Sequence, residues 1–405
     1  MSIADFHGRV ADDFSSTPHP VVWQVAAARH QFTLFVESGP LVQSVLADLQ
    51  AARRRIWLES YIFAADPAGK AVAAVLKAKA RAGLDVRVMY DAVGCLGTPN
   101  SFFEDMQRAG VQVHGFHKAG YALRRWDFFR IFNRRNHRKL LVVDDEIAYF
   151  GGMNFVDRCG VIIVDESQPA KPPVSNGWRD VHVRLAGPQV PQLAATMNYL
   201  WYKAQHIPTK RARWPRRKML QADGDGLFFF DCEPGFKGRQ AARVLCPLLR
   251  RARRSITISV AYFIPSGPVL RELLRAVRRG VKVRVLIPAN SDVPMARWAC
   301  RHLYERLVER GIRIYERQDL MLHSKALVID GLWSVIGSCN LDPRSLRSNL
   351  EFLGVVRSGA VARTLEQICA FELRRSHRIG ADHWRRRSWW QRQLDSLAWA
   401  CRRWL

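Results

Sequence analysis

The sequence predicts an α/β chain of two tandem domains built on one plan. Three observations predict it. At roughly 150 residues per domain, 405 residues leave room for two or three separate cores. The segment 53–90 returns at 253–287 with the same order of strand, helix and strand. A spaced set of His, Lys, Asp, Gly and Asn also occurs twice, once in each half.

In the first copy, Arg53-Arg-Arg-Ile-Trp-Leu-Glu-Ser-Tyr-Ile-Phe63 reads as a strand. A helical stretch follows, then Gly83-Leu-Asp-Val-Arg-Val-Met-Tyr90, whose alternating Val marks a second strand. The second copy runs Arg253-Arg-Ser-Ile-Thr-Ile-Ser-Val-Ala-Tyr-Phe-Ile264, a helix, and Gly280-Val-Lys-Val-Arg-Val-Leu-Ile287. Each is the signature of a βαβ unit whose helix stops at Gly. Within Glu272–Gly280, Leu273, Leu274 and Val277 share a face while Arg275, Arg278 and Arg279 point away, the period of a helix. Further units are expected near Val111–His114 and Ile312–Tyr315. The expected limits are an extension at 1–30, domain one at 31–205, a linker at 206–225, domain two at 226–372 and a tail at 373–405. The linker reads as exposed: it carries Lys210, Arg211, Arg213, Arg216, Arg217 and Lys218 between prolines, with no acid before Asp223.

With 63 Lys+Arg against 36 Asp+Glu, the net charge is +27. Hydrophobic content of 48% excludes global disorder, so the charge calls for polyanionic partners, a nucleic acid or an anionic membrane surface. The eight Cys form no C-x-x-C pair, which argues against a zinc knuckle or a disulfide scaffold. The start, Met1-Ser-Ile-Ala-Asp-Phe-His7, lacks the apolar core of a secretory signal, and no run of 18 apolar residues suggests a spanning helix. A cytoplasmic protein is the expectation.

The repeated set carries the chemistry. His137-Arg-Lys139-Leu-Leu-Val-Val-Asp144 precedes Gly151-Gly152-Met-Asn154, and His323-Ser-Lys325-Ala-Leu-Val-Ile-Asp330 precedes Gly337-Ser338-Cys-Asn340. Given 12 His in the chain, about 0.02 H-x-K-x4-D matches are expected by chance. Lys is scarce, at 12 residues, yet fills both second positions. The apolar runs mark buried strands, so His and Lys at i and i+2 share a face, and each Asn can donate its amide to an oxyanion. If the halves face one another, two His, two Lys and two Asn converge on one anionic group, which suits a phosphodiester. One imidazole attacks phosphorus, the other protonates the leaving oxygen, and the Lys and Asn donors stabilise the non-bridging oxygens. Four such donors can replace a divalent metal, so neither metal nor cofactor is expected. Each His also needs a carboxylate to hold its tautomer.

The duplicated H-x-K-x4-D with G-G/S-x-N resembles the phospholipase D superfamily, and more closely its bacterial cardiolipin synthases of the B branch. The resemblance runs from about Phe32 to the C-terminus. It includes Glu59–Phe63, Trp178-Arg-Asp180 with Gly187-Pro188, Ala261–Pro265, His323–Glu351 and Arg386-Arg-Ser-Trp-Trp390. It implies that each domain is a mixed β-sheet flanked by helices, with the active site at the pseudo-twofold interface. It also implies Asp180 as orienter of His323, Glu351 as orienter of His137, and His137 as nucleophile with His323 as general acid and base. Asp144 and Asp330 complete the catalytic motif, with a more structural, loop-anchoring part. The segment Cys159–Asn176, with three prolines, departs from the pattern.

The implied activity is phosphatidyl transfer between two phosphatidylglycerol molecules through a phosphohistidine, releasing glycerol. The same chemistry serves a phospholipase D-type hydrolase or a nuclease, for which the +27 charge is equally suited. A non-enzymatic basic binding protein is the third reading, against which stand two intact motif sets. His114, His117, His182 and His302 have no repeated partner and read as structural or solvated, and Cys339 as packing. The tail Trp384–Leu405 holds six Arg and five Trp. Trp390, Leu394, Leu397, Cys401 and Trp404 form one helical stripe, expected to meet a membrane surface together with the basic linker. A helix packed on the core is the plainer alternative. The expected location is peripheral, on the cytoplasmic face of the inner membrane.

Overall fold

The computed structural model describes residues 21–116, 134–156, 177–207, 219, 224–233 and 240–402. His117, the Cys159–Asn176 segment, the basic residues 210–218 and Trp404 lie outside them. The chain forms two eight-stranded mixed sheets, one per half.

The first sheet contains β1 (Val22–Ala27), β2 (His30–Phe35), β3 (Arg55–Ser60), β4 (Asp85–Asp91), β5 (Gln112–Phe116), β6 (Leu140–Val143), β7 (Ile147–Gly151) and β8 (His182–Ala186). Its order is β1-β2-β8-β7-β6-β3-β4-β5. The second contains β9 (Gly226–Cys232), β10 (Ser255–Val260), β11 (Lys282–Pro288), β12 (Arg313–Arg317), β13 (Lys325–Ile329), β14 (Trp333–Gly337), β15 (Glu351–Arg357) and β16 (Ser376–Arg378). Its order, β16-β12-β11-β10-β13-β14-β15-β9, is the first sheet's read backwards, with β16 and β1 as the unmatched edges. In each, three strands are parallel, β3-β4-β5 and β10-β11-β12, and the rest antiparallel. Parallel neighbours need crossovers, and helices Pro67–Arg81 and Gly267–Arg278 supply the first in each half. Asp66 caps the former by accepting from the Gly69 N–H at 2.9 Å. Both runs end at a glycine in the left-handed region, Gly83 and Gly280.

Two apolar clusters lie inside the separate halves, and a third joins them. The joining cluster combines Leu140, Val142, Phe150 and Val183 with Phe229, Val328 and Phe352. The rings of Phe150 and Phe352 sit 5.8 Å apart edge to face, so the two domains share a dry interior. Two parallel bridges cross this interface, Asn136 with Leu350 and Arg179 with Leu322.

The structure departs from the expected limits at three points. Residues 22–27, set aside as extension, form the edge strand β1. Residues 376–378, set aside as tail, pair with β12 as β16. Met219, within the supposedly exposed linker, is fully buried in the second core. Short edge strands carry too little periodicity to be read ahead of their partners.

Candidate active site

His137 lies just ahead of β6 and His323 just ahead of β13, so each rises at the start of a buried central strand. His323 donates its backbone N–H to the Arg179 carbonyl at 2.6 Å, and His137 to the Leu350 carbonyl at 3.0 Å. Each His is therefore held by the other half's chain. The lysine two residues on turns to the same side: Lys139 Nζ donates to the His137 carbonyl at 2.7 Å, and Lys325 Nζ to that of His323.

The carboxylates also cross between halves. His137 Nδ1 is 3.1 Å from Glu351 Oε2, and His323 Nδ1 is 2.7 Å from Asp180 Oδ2. Asn349 Nδ2 donates to Glu351 Oε1 at 3.2 Å, and the Ser338 hydroxyl to Oε2. The shorter Asp180 accepts from the Val181 N–H at 2.7 Å. Where the second half has Ser338 the first has Gly152, and a Cβ there would stand 2.1 Å from Asp180 Oδ1. Glycine is required for Asp180 to approach.

Burial dominates the electrostatics. It lowers His137 to about 4 against the pull of Glu351, and Lys139 to about 7. His323 and Lys325 are lowered by the same cause. Glu351 and Asp180 stay below their ordinary values despite burial, because His137 and Lys139 face the one and Lys325 and His323 the other. Burial thus disfavours the charged forms of both imidazoles and both lysines, the two carboxylates oppose it, and an arriving phosphodiester adds negative charge that favours protonation. The halves are not equivalent. Lys325 Nζ lies 2.7 Å from His323 Nδ1 and 3.0 Å from its Nε2, whereas His137 Nε2 has no hydrogen-bond partner among the described residues.

Asn154 and Asn340 follow the hairpins β6-β7 and β13-β14 and are both buried. Asn154 Oδ1 accepts from the Ile62 N–H at 3.2 Å, while Asn340 Oδ1 has no donor among the described residues. Asp144 and Asp330, expected with the catalytic set, do not join it. Each sits beyond the far end of the strand that His and Lys begin, at the left-handed first position of the hairpin turn (φ 54° and 58°). Asp144 accepts the backbone N–H groups of Arg53, Arg54 and Arg55 at 2.7, 2.8 and 2.9 Å. Asp330 does the same for Arg253, Arg254 and Ser255 at 2.8, 2.7 and 2.9 Å. These carboxylates fasten the hairpins to the entry of β3 and β10. Among the described residues no three His, Cys, Asp or Glu side chains converge as a metal site requires.

Sequence reasoning missed Arg138, the residue between His137 and Lys139. It points to the opposite face, is 1% exposed, and pairs with Glu59 at 2.9 Å and, across the interface, with Asp231 at 2.9 Å. Glu59 inside the apolar run of β3 was the available signal, since a buried carboxylate needs a partner. Arg179, beside Asp180, likewise joins Glu37 to Glu372. Of the unrepeated histidines, His182 is buried and takes the Met153 N–H at 3.3 Å, and His302 stacks on Trp399. Cys339 is buried and its thiol pushed up.

The family model described as cardiolipin synthase, PLD-like domain, matches residues 45–160 and 245–371, spanning both histidine motifs. The chain belongs to that family of the phospholipase D superfamily. It is thereby a phosphatidyltransferase-type enzyme of this superfamily. Among its relatives is cardiolipin synthase A of Serratia proteamaculans, 30% identical over 96% of this chain and 79% of that protein. A cardiolipin synthase of Listeria monocytogenes is 29% identical over 91% of this chain and 74% of its own. Among solved structures, phosphatidylserine synthase of Haemophilus influenzae shares the fold with a TM-score of 0.70 at 13% identity, covering 95% of this chain and 97% of that one.

Proposed function

We propose that this member of the cardiolipin synthase family joins two phosphatidylglycerol molecules through a phosphohistidine on His137 and releases glycerol. Glu351 accepts a hydrogen bond from the Nδ1–H of His137, which leaves the Nε2 lone pair to attack phosphorus. His323 gives its proton to the departing glycerol oxygen as that P–O bond breaks. A hydroxyl of the second phosphatidylglycerol then displaces His137, and its proton passes to His323. Lys139, Lys325, Asn154 and Asn340 are assigned to the non-bridging oxygens. The observation that supports the order of roles is the asymmetry at the two rings: Lys325 Nζ lies against both nitrogens of His323, 2.7 Å from Nδ1 and 3.0 Å from Nε2, whereas His137 Nε2 is open among the described residues.

Contact with the membrane surface is part of the same proposal. Helix Trp389–Ala400 buries Ala398 and Asp395, while Trp389, Trp390, Leu394 and Leu397 are 59%, 72%, 47% and 63% exposed. The stripe is open in the described chain, in line with an interfacial helix flanked by Arg385, Arg392 and Arg402. No helix among the described residues is long and apolar enough to cross a membrane. A peripheral position on an anionic leaflet, the inner membrane's cytoplasmic face, is part of the reading, and the +27 charge supports the anionic surface.

Purified protein incubated with phosphatidylglycerol vesicles tests the reading by product analysis. Cardiolipin and glycerol are expected, and both His137→Ala and His323→Ala abolish them. Phosphatidic acid as sole product makes the enzyme a hydrolase, and DNA cleavage without lipid turnover makes it a nuclease.

A further inference from the structure

The surroundings of the two histidines differ on one side of the site. Tyr61 follows β3, its ring edge-on to His137 at 4.9 Å and 5.1 Å from Lys139 Nζ. The Phe63–Phe155 and Phe263–Leu341 bridges set the register of the halves, and the position matching Tyr61 is Ala261. Two arginines reach this tyrosine's field and each other's, Arg135 and Arg344. Arg135, two residues before His137, is buried and faces the carboxylate of Asp91.

Arg344 is in a different position. It lies half-buried in the short helix Pro343–Arg347, and its carbonyl accepts from the Ser348 and Asn349 N–H groups at 2.8 and 2.9 Å. Asn349 in turn holds Glu351, so the backbone of Arg344 is tied rigidly to the His137 pair. Its guanidinium has no acceptor within hydrogen-bonding or ion-pairing distance among the described residues. Asp342 takes the Ser345 N–H at 2.7 Å and hydroxyl at 3.2 Å and feels the Arg344 charge, but forms no ion pair with it. Arg344 stands 21 residues after His323, and Arg158 stands 21 after His137.

A site for one phosphodiester is complete without Arg344: the two Lys and two Asn around the histidines provide for it. Joining two lipids brings a second phosphodiester, carried on the attacking glycerol a three-carbon bridge from the reacting hydroxyl. We propose that Arg344, on the short helix tied through Asn349 to the Glu351–His137 pair, forms the subsite that takes the phosphate of the acceptor lipid. The inference rests on the transferase reading above. It gives anionic acceptors an advantage over water and neutral alcohols, which carry nothing for the guanidinium to hold.

The test supplies the full-length enzyme with phosphatidylglycerol vesicles and 1-butanol as a competing neutral acceptor, and measures cardiolipin and phosphatidylbutanol together. Arg344→Gln lowers the ratio of cardiolipin to phosphatidylbutanol about tenfold or more, the loss of one charged hydrogen bond. Arg344→Lys restores part of the ratio. An unchanged ratio, whether both products persist or both fall alike, overturns the subsite; thermal unfolding of the variant separates misfolding from that result. Wild-type enzyme that makes phosphatidylbutanol and no cardiolipin overturns the reading of phosphatidylglycerol as acceptor, a failure visible without any variant.

Discussion

Glu351 Oε2 and His137 Nδ1 lie 3.1 Å apart, although 214 residues and a domain boundary separate them. Asp180 and His323 repeat the relationship at 2.7 Å in the opposite sense. Neither half orients its own histidine, so neither half is a working site alone. Glu351→Gln and Asp180→Asn should each lower turnover about 10–100-fold, as loss of an orienting carboxylate does elsewhere. Initial rates on phosphatidylglycerol vesicles check this, and wild-type rates in either variant would remove that carboxylate from the mechanism.

The pH profile follows from the buried groups. His137, lowered to about 4, stays neutral and nucleophilic well below the usual imidazole range, while Lys139, lowered to about 7, loses its charge as pH rises through that value. In the free enzyme kcat/KM should therefore fall on the acid side as His137 protonates near 4, and on the alkaline side as His323, held below its ordinary 6.5, and then Lys139, at about 7, lose their protons. Glu351 raises the His137 value, so Glu351→Gln moves the acid limb lower still. An acid limb at the ordinary histidine value of 6.5 would contradict the assignment.

Asp144 and Asp330 separate stability from chemistry. Each accepts three backbone N–H groups at the end of its strand remote from the histidines. Asp144→Ala should cost about 1–3 kcal/mol of stability, by leaving donors unpaired, with turnover per folded molecule at the wild-type level. Thermal unfolding beside active-site titration checks it. A dead but fully stable variant would return the residue to the reaction.

The exposed tail stripe predicts vesicle binding. Trp390→Ala with Leu397→Ala removes the two most exposed apolar side chains of helix Trp389–Ala400. Each full burial is worth about 1.5–3 kcal/mol, so affinity for anionic vesicles should drop at least tenfold. Flotation of both proteins with phosphatidylglycerol vesicles measures the difference, and equal binding would place the membrane contact elsewhere.

The pairing of His with Lys was legible because a strand projects i and i+2 together, and the double motif marked two such strands. The βαβ units were legible from the alternating Val of 85–90 and 282–287. The crossing of Asp180 and Glu351 to the other half's histidine was not, since strand periodicity says nothing about how two sheets meet. That assignment entered by resemblance. Asp144 and Asp330 hold the hairpins in the loop-anchoring part expected of them, because seven residues from His along a strand is close in sequence and far in space. Arg138 was hidden by the alternation that exposed its neighbours, because it faces a buried interface with Glu59 and Asp231.

The most direct test is rapid quenching at alkaline pH of wild-type enzyme turning over phosphatidylglycerol vesicles, followed by peptide mass spectrometry. A phosphatidyl adduct should appear on the peptide bearing His137 and decay as cardiolipin accumulates. An adduct on His323, or cardiolipin formed with neither histidine modified, would contradict the account.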